Sequence, residues 1–366
     1  MAMRACGIRP RAFGLTTQST STQRRLYKAH MAHDGTNGVD HVDRCVGTLL
    51  WKACSDALGA LVEGMDAAAI AAAYPQGVTR YVANPRGAGC YTDDTQMAVG
   101  LARALVDKGR IDAQHASLTY ARLFDMGRGY GGNAMKILAE LQANPQATDW
   151  ASLATKYSPE GSFANGGAMR IAPVGLAYRH APPPVVLAAV RGALALTHVH
   201  PVAVDGALVQ AEAVAWLCRQ PSPALPMPQQ EQVAFLNRLL SHLIPVASTE
   251  GMRAKLVTLQ KVLLQERPQA LSPALPPGAA SQQLGGSTPP APVPGAPAGL
   301  SASACAQLGA FWPEYLKSEQ WAQELRLALE MSRGQFQIRA DDAVAVALCA
   351  FVHHGLSALP ASAVVA

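Results

Sequence analysis

Cysteine is sparse in this chain, and its seven positions make no pattern. Cys6, Cys45, Cys54, Cys90, Cys218, Cys305 and Cys349 are scattered, odd in number and never spaced as CxxC. Neither a disulfide framework nor a structural zinc site is supported, and a reducing compartment fits best. No apolar run reaches the length that a membrane span needs. Charged residues make up only 15% and aromatic residues 6%, against 49% apolar residues. That balance excludes wholesale disorder, and the dominance of alanine points to closely packed helices rather than sheets.

Two local absences divide the chain. Residues 1–33 hold Arg4, Arg9, Arg11, Arg24, Arg25 and Lys28 but no acid, while the remainder carries 24 basic and 25 acidic residues. The formal charge of +5 therefore belongs to the N-terminus. The near-neutral body gives no nucleic-acid footprint. The Arg-, Ser- and Thr-rich composition of residues 1–38 matches an organelle transit peptide, pointing to a mitochondrial or plastid matrix. An untargeted tail, with residence in cytoplasm and nucleus, is the alternative. Residues 268–299 contain nine prolines and no charge, a composition no packed element can use. A disordered insertion over about 268–300 is predicted inside a single domain, 39–366. No stretch reads convincingly as a strand, so the expectation is an all-α fold, a compact multi-helix bundle, and a monomer.

What the chain does have is clustered oxygen chemistry. Tyr91-Thr92-Asp93-Asp94-Thr95-Gln96-Met97 opens a helical pattern in which Met97, Leu101 and Leu105 recur every four residues. Thr92 suits an N-cap and acids suit the first turn, so an ordinary helix start accounts for the stretch. The same carboxylate and hydroxyl oxygens also suit a hard cation such as Mg²⁺ or Mn²⁺. Upstream, Asp56 lies on the edge of a small-residue helical face that includes Leu49, Ala53, Ala57 and Ala60. A carboxylate there is a capping or solvated acid, or it requires a partner or metal. Glu63 follows two turns later.

Glycine marks two further places. Gly127-Arg128-Gly129-Tyr130-Gly131-Gly132 suits a tight turn or a backbone close to a ligand. Gly161-Ser162-Phe163-Ala164-Asn165-Gly166-Gly167 precedes the apolar run from Ala168 to Tyr178. Such a loop offers free N–H groups to an anion, but it lacks a P-loop lysine and a preceding strand. His198 and His200 sit in a turn before Pro201, as surface or capping residues or as ligands. Helices are expected over 185–197, 202–217, 235–264, 319–331 and 343–352.

Taken in order, Ser55-Asp56-Ala57-Leu58-Gly59, Tyr91-Thr92-Asp93-Asp94-Thr95, the run 161–170 and Thr197-His198 resemble the ADP-ribosylglycohydrolase family. The resemblance is strong over 42–217 and looser over 230–353. Glu63 and the glycine loop look most like the branch that removes ADP-ribose from serine. The resemblance implies an all-α fold with two Mg²⁺ ions (Mn²⁺ as substitute) in a central cleft. It implies Thr92, Asp93, Asp94 and Glu63 as metal ligands, with Glu63 on a flap. Asp56, Glu63 and Asp94 would carry the catalytic roles, Asp56 by supporting the water network. Arg128, Gly129, Tyr130, Gly131, Gly161, Ser162, Phe163, Asn165, Gly166 and His198 would line the substrate pocket.

The implied activity is Mg²⁺-dependent release of ADP-ribose from protein side chains, serine above all, with poly-ADP-ribose or related O-linked forms as further substrates. Implied partners are ADP-ribosylated proteins or ADP-ribose, with neither nucleic acid nor membrane. The family also closes its metal site with a late Gly-Asp-x-Asp-Thr segment that is not found here. Asp341-Asp342 aligns better with the preceding helix. The expectations are accordingly a chain lacking its C-terminal end or, alternatively, a catalytically impaired ADP-ribose binder.

Overall fold

The structure, a computed structural model, describes residues 38–65, 67–74, 78, 81, 83–84, 87–146, 148–221, 227–265 and 339–354. The N-terminal segment, the proline-rich stretch and the helix expected over 319–331 lie outside the described residues.

Helices build nearly all of what is described. They are α1 (Gly38–Gly59), α2 (Ala67–Ala73), α3 (Asp93–Lys108), α4 (Ala113–Leu123), α5 (Gly132–Ala143), α6 (Leu153–Lys156) and α7 (Ala172–Ala177). After them come α8 (Pro183–Leu194), α9 (Pro201–Arg219), α10 (Gln229–Leu243), α11 (Glu250–Gln265) and α12 (Ala340–His354). The all-α expectation holds, with one small departure. Ala83–Asn84 and Gly87–Ala88 pair antiparallel across the loop before α3. Two-residue strands lack the alternation that would betray them in sequence.

The centre is α9. It packs on α7, α8, α10, α11, α12 and the 3-10 turn Asn165–Arg170. Contrary to the sequence reading that no apolar run is long enough, its 19 residues could cross a membrane by length and composition, yet the helix is mostly buried within the fold. Core position explains that apolarity, and Asp205 and Glu212 break it from within. Small residues set the approach of its neighbours. A Cβ on Gly175 of α7 would stand 2.5 Å from the Ala211 carbonyl, and one on Gly206 would stand 2.8 Å from Ala340 Cβ. Neither helix pair could close as tightly with larger side chains.

Buried charge ties the helices where packing alone would leave their order loose. Asp205 of α9 accepts from Ser248 N (2.8 Å) and Oγ (2.9 Å), and from Thr249 N (2.9 Å) and Oγ1 (2.5 Å). That carboxylate fixes Ser248 and Thr249, the two residues that lead into α11. Asp341 and Asp342 meet the Lys255 ammonium between α11 and α12, and Arg339 adds a bond to Asp341 at 3.1 Å. Both carboxylates thus tie α12 to α11. Arg44 of α1 donates to the Cys218 (3.2 Å) and Gln220 (2.6 Å) carbonyls at the end of α9.

α3 forms as its pattern predicts, from Asp93 to Lys108 with Gly109 as a left-handed C-cap at φ 68°. Met97, Leu101 and Ala104 are buried, whereas Leu105 is only partly so. The stripe therefore follows 3.6 residues per turn rather than four.

Candidate functional site

Asp56 organises the acidic turn. Its Oδ1 accepts from Thr92 Oγ1 at 2.6 Å, and its Oδ2 from Thr92 N (3.0 Å), Thr95 N (3.0 Å) and Thr95 Oγ1 (2.5 Å). One carboxylate on α1 thus caps the start of α3 through two backbone N–H groups and two hydroxyls. The Asp56 carboxylate, which also borders the cleft, thereby positions the acidic turn. The clasp also orients Thr92. Its hydroxyl proton goes to Asp56, and one lone pair accepts from Asp94 N at 3.3 Å.

The clasp presents Asp93 and Asp94 to a cleft of about 1070 Å³, which Asp56, Glu63 and Thr92 also line. Burial, then the neighbouring Asp94 charge, pushes Asp93 up to about 7. Burial likewise pushes Asp94 up to about 6, against the pull of the Lys52 ammonium. Glu63 and Asp56 add to the repulsion on both. Carboxylates held in so unfavourable a field attract cations. Glu63 is exposed, in the turn that follows α1.

The glycine loop borders the same cleft. Ser162, Asn165, Gly166, Thr197 and His198 line it, as do Gly129, Gly131 and Gly132 of the earlier turn. Gly129 adopts φ 95°, and a Cβ there would stand 3.8 Å from Asp93 Oδ1. Gly166 is needed for His198, since a Cβ would come within 2.6 Å of the imidazole Cε1.

Arg170, completely buried, holds this wall together. It donates to the carbonyls of Gly166 (2.7 Å) and Ala193 (3.2 Å) and to Thr197 Oγ1 (2.8 Å), and its guanidinium lies 5.0 Å from the Tyr120 ring centroid. Because Thr197 accepts from Arg170, its own proton is free to go to His198 Nδ1 at 2.8 Å. That assignment leaves the imidazole proton on Nε2, a donor for the cleft. Burial, then the Arg170 charge, lowers His198 to about 3, so the ring stays neutral.

Four residues expected in the pocket are absent from its lining. Tyr130 is buried, its hydroxyl donating to Gln96 Oε1 at 2.6 Å and its ring edge-on to Phe124. Arg128 donates to the Tyr91 carbonyl at 2.9 Å and stacks 4.1 Å above that ring, bracing the residue before Thr92. Gly161 adopts φ 80° because a Cβ would fall 2.7 Å from His200 N, a packing reason rather than a ligand reason. Phe163 packs beside His200 and Arg339, and its carbonyl accepts from Ala340 N at 3.0 Å. His200 itself caps α9 through Val202 N at 3.1 Å.

Other lining residues were missed in the sequence. Lys52 and Trp51 line the cleft from α1, and Asn133 and Ser158 line it as well. Lys52 stands one turn before Asp56, and only that spacing could have flagged it.

Among the described residues no three His, Cys, Asp or Glu side chains converge as a metal-holding group. The donors at hand are Asp93 and Asp94, with Glu63 and the Thr92 hydroxyl beside them. Their oxygen chemistry fits a hard divalent cation, and they supply part of a six-oxygen shell.

Comparison with known proteins bears on the family of the chain. A family model for ADP-ribosylglycohydrolases matches residues 37–361. ADP-ribosylhydrolase ARH3 of Homo sapiens is 30% identical over 181 residues, 49% of this chain and 46% of that protein. The Mus musculus protein of the same name is 28% identical over 237 residues, 62% of this chain and 60% of its own. The ADP-ribosyl-[dinitrogen reductase] glycohydrolase of Rhodospirillum rubrum is 33% identical over 171 residues, 43% of this chain and 52% of its own. The matches thus span roughly half to three fifths of these relatives' length.

Proposed function

Because the chain belongs to the ADP-ribosylglycohydrolase family, we propose that it hydrolyses the bond between ADP-ribose and modified protein side chains, serine foremost, with Mg²⁺ at the Asp93–Asp94 turn. One observation carries the reading: acidic turn, glycine loop and neutral His198 converge on a single cleft of about 1070 Å³. A nucleotide diphosphate sugar needs both walls. Backbone N–H groups near Gly129, Gly131 and Gly166 suit the diphosphate, and His198 Nε2–H suits a ribose or phosphate oxygen. Asp93 and Asp94, with Thr92 and Glu63, would hold the ion.

When bound, the ion supplies charge to orient ribose hydroxyls and to activate water for attack at the anomeric carbon. The chain's own residues do the rest. Asp56 holds the α3 turn so that Asp93 and Asp94 face the sugar. A cleft carboxylate, Glu63 or Asp94, accepts the proton from the attacking water and returns it to the serine oxygen as the bond from that oxygen to the anomeric carbon breaks. Arg170 keeps the loop wall and the His198 tautomer fixed. A second reading, an ADP-ribose binder without turnover, is favoured by the absence of a converged three-ligand group among the described residues.

Release of ADP-ribose from a serine-linked ADP-ribosyl peptide, followed chromatographically, separates the two. Turnover that rises with Mg²⁺ and falls about a hundredfold or more in Asp93→Asn/Asp94→Asn is expected of the hydrolase. Equal turnover in that double variant would remove the assigned role. Binding without turnover would select the second reading.

A further inference from the structure

Lys52 has no part in the mechanism above, yet it stands inside the acidic site. It lies one helical turn before Asp56 on α1, so both side chains leave the same face of the helix. Its side chain lines the cleft with Asp93 and Asp94. The carboxylates that act on it most strongly are Asp94, then Asp56, then Asp93. Burial lowers the pKa of Lys52, and these carboxylates oppose the shift. In return, Lys52 is the charge that opposes the rise of Asp94.

Asp56 already accepts from Thr92 and Thr95, and Asp94 of the α3 turn is the carboxylate that acts most strongly on the ammonium. A lysine on a flexible four-carbon stem is a tethered monovalent cation. It occupies the same field that would draw a divalent ion, and two cations in one field repel.

We infer that Lys52 is a built-in counter-ion of the Asp93–Asp94 turn, which competes with divalent cations and sets the concentration at which they bind. The role rests on the metal reading proposed above and deepens it. The ammonium neutralises part of the acidic turn while no ion is bound, and it withdraws along its stem when one arrives. Metal affinity is thereby held down, and the ion-free protein is spared the full repulsion among Asp93, Asp94 and Glu63.

The test is Mn²⁺ binding to the full chain, read from the loss of the free-ion signal in electron paramagnetic resonance. Lys52→Met and Lys52→Gln should bind Mn²⁺ about tenfold tighter than the parent, the effect of removing one unit charge beside a divalent ion. Lys52→Arg, which keeps the charge, should stay at or below parental affinity. Far-ultraviolet circular dichroism checks that each variant is folded, and the two neutral variants serve as substitutes for one another. Equal or weaker binding by both neutral variants overturns the proposal. So does Lys52→Arg binding as tightly as Lys52→Met, or no Mn²⁺ binding by any of the proteins.

Calorimetry with ADP-ribose alone keeps the two levels apart. Heat of binding in the parent with no Mn²⁺ binding in any variant defeats the counter-ion role but leaves the ligand cleft standing. No heat in the parent defeats the proposed ligand, and the Mn²⁺ series alone then decides the counter-ion role.

Discussion

Replacing Asp56 by alanine tests how the acidic turn is held. The carboxylate accepts from two backbone N–H groups and two hydroxyls at 2.5 to 3.0 Å, and it is the contact that joins the C-terminal half of α1 to the start of α3. Hydrogen bonds to charged groups are worth about 1.5–3 kcal/mol each when fully buried. Asp56 is only half-buried, so water can replace part of what is lost. A net cost of about 3 kcal/mol follows for Asp56→Ala, with about half of that for Asp56→Asn, which keeps one acceptor oxygen. For a domain of roughly 230 to 330 residues that corresponds to a fall in Tm of about 4–6 °C for alanine. Thermal unfolding by circular dichroism at neutral pH reads both values. An alanine variant within about 1 °C of the parent would show that the clasp does not hold the turn, and the positioning role would fall with it.

Other consequences follow from the same geometry. Arg170→Met should weaken ADP-ribose binding at least about tenfold in calorimetry, because the Gly166 carbonyl and Thr197 hydroxyl lose their shared donor; unchanged affinity would contradict it. Gly166→Ala should have a similar effect by displacing the His198 ring. Asp93 and Asp94 are raised from 3.8 to about 7 and 6, so the folded state binds protons more tightly than the unfolded chain. Metal-free protein should therefore gain several degrees in Tm as pH falls from 8 to 5, and Asp93→Asn/Asp94→Asn should flatten that slope. Asp341 shifts the other way: burial raises it, but bonds to Lys255 and Arg339 prevail and leave it below 3.8. The stability it contributes is present above that value and lost as pH falls through the lowered pKa, so Asp341→Asn should soften the acid limb of a pH–Tm curve.

Much of the fold could be read in advance, because alanine-rich stripes at helical spacing leave little alternative. α3 is the clearest case: threonine cap, acidic first turn and glycine C-cap all fall where the pattern required. The two-residue β pair and α6 were not legible, since elements that short carry no period. At the site, the chemistry of the acidic turn and the glycine loop was readable, but the direction of individual side chains was not. Tyr130 and Gly161 sit in glycine-rich motifs yet answer to packing, Tyr130 to Gln96 and Gly161 to Val199–His200. Asp56 was legible as a capping or solvated acid or as one requiring a partner or metal, but its partners were not, because its four donors lie 36 and 39 residues away. Lys52 was overlooked for a like reason, since nothing local to a lysine in an apolar helix announces the acids across a cleft.

The most direct measurement is a crystal structure of the full chain soaked with ADP-ribose. The account predicts density in the one cleft, with the diphosphate against the backbone of Gly129, Gly131 and Gly166, the ribose toward Asp93 and Asp94, and His198 Nε2 within hydrogen-bonding reach. ADP-ribose bound elsewhere, with that cleft empty, would contradict it.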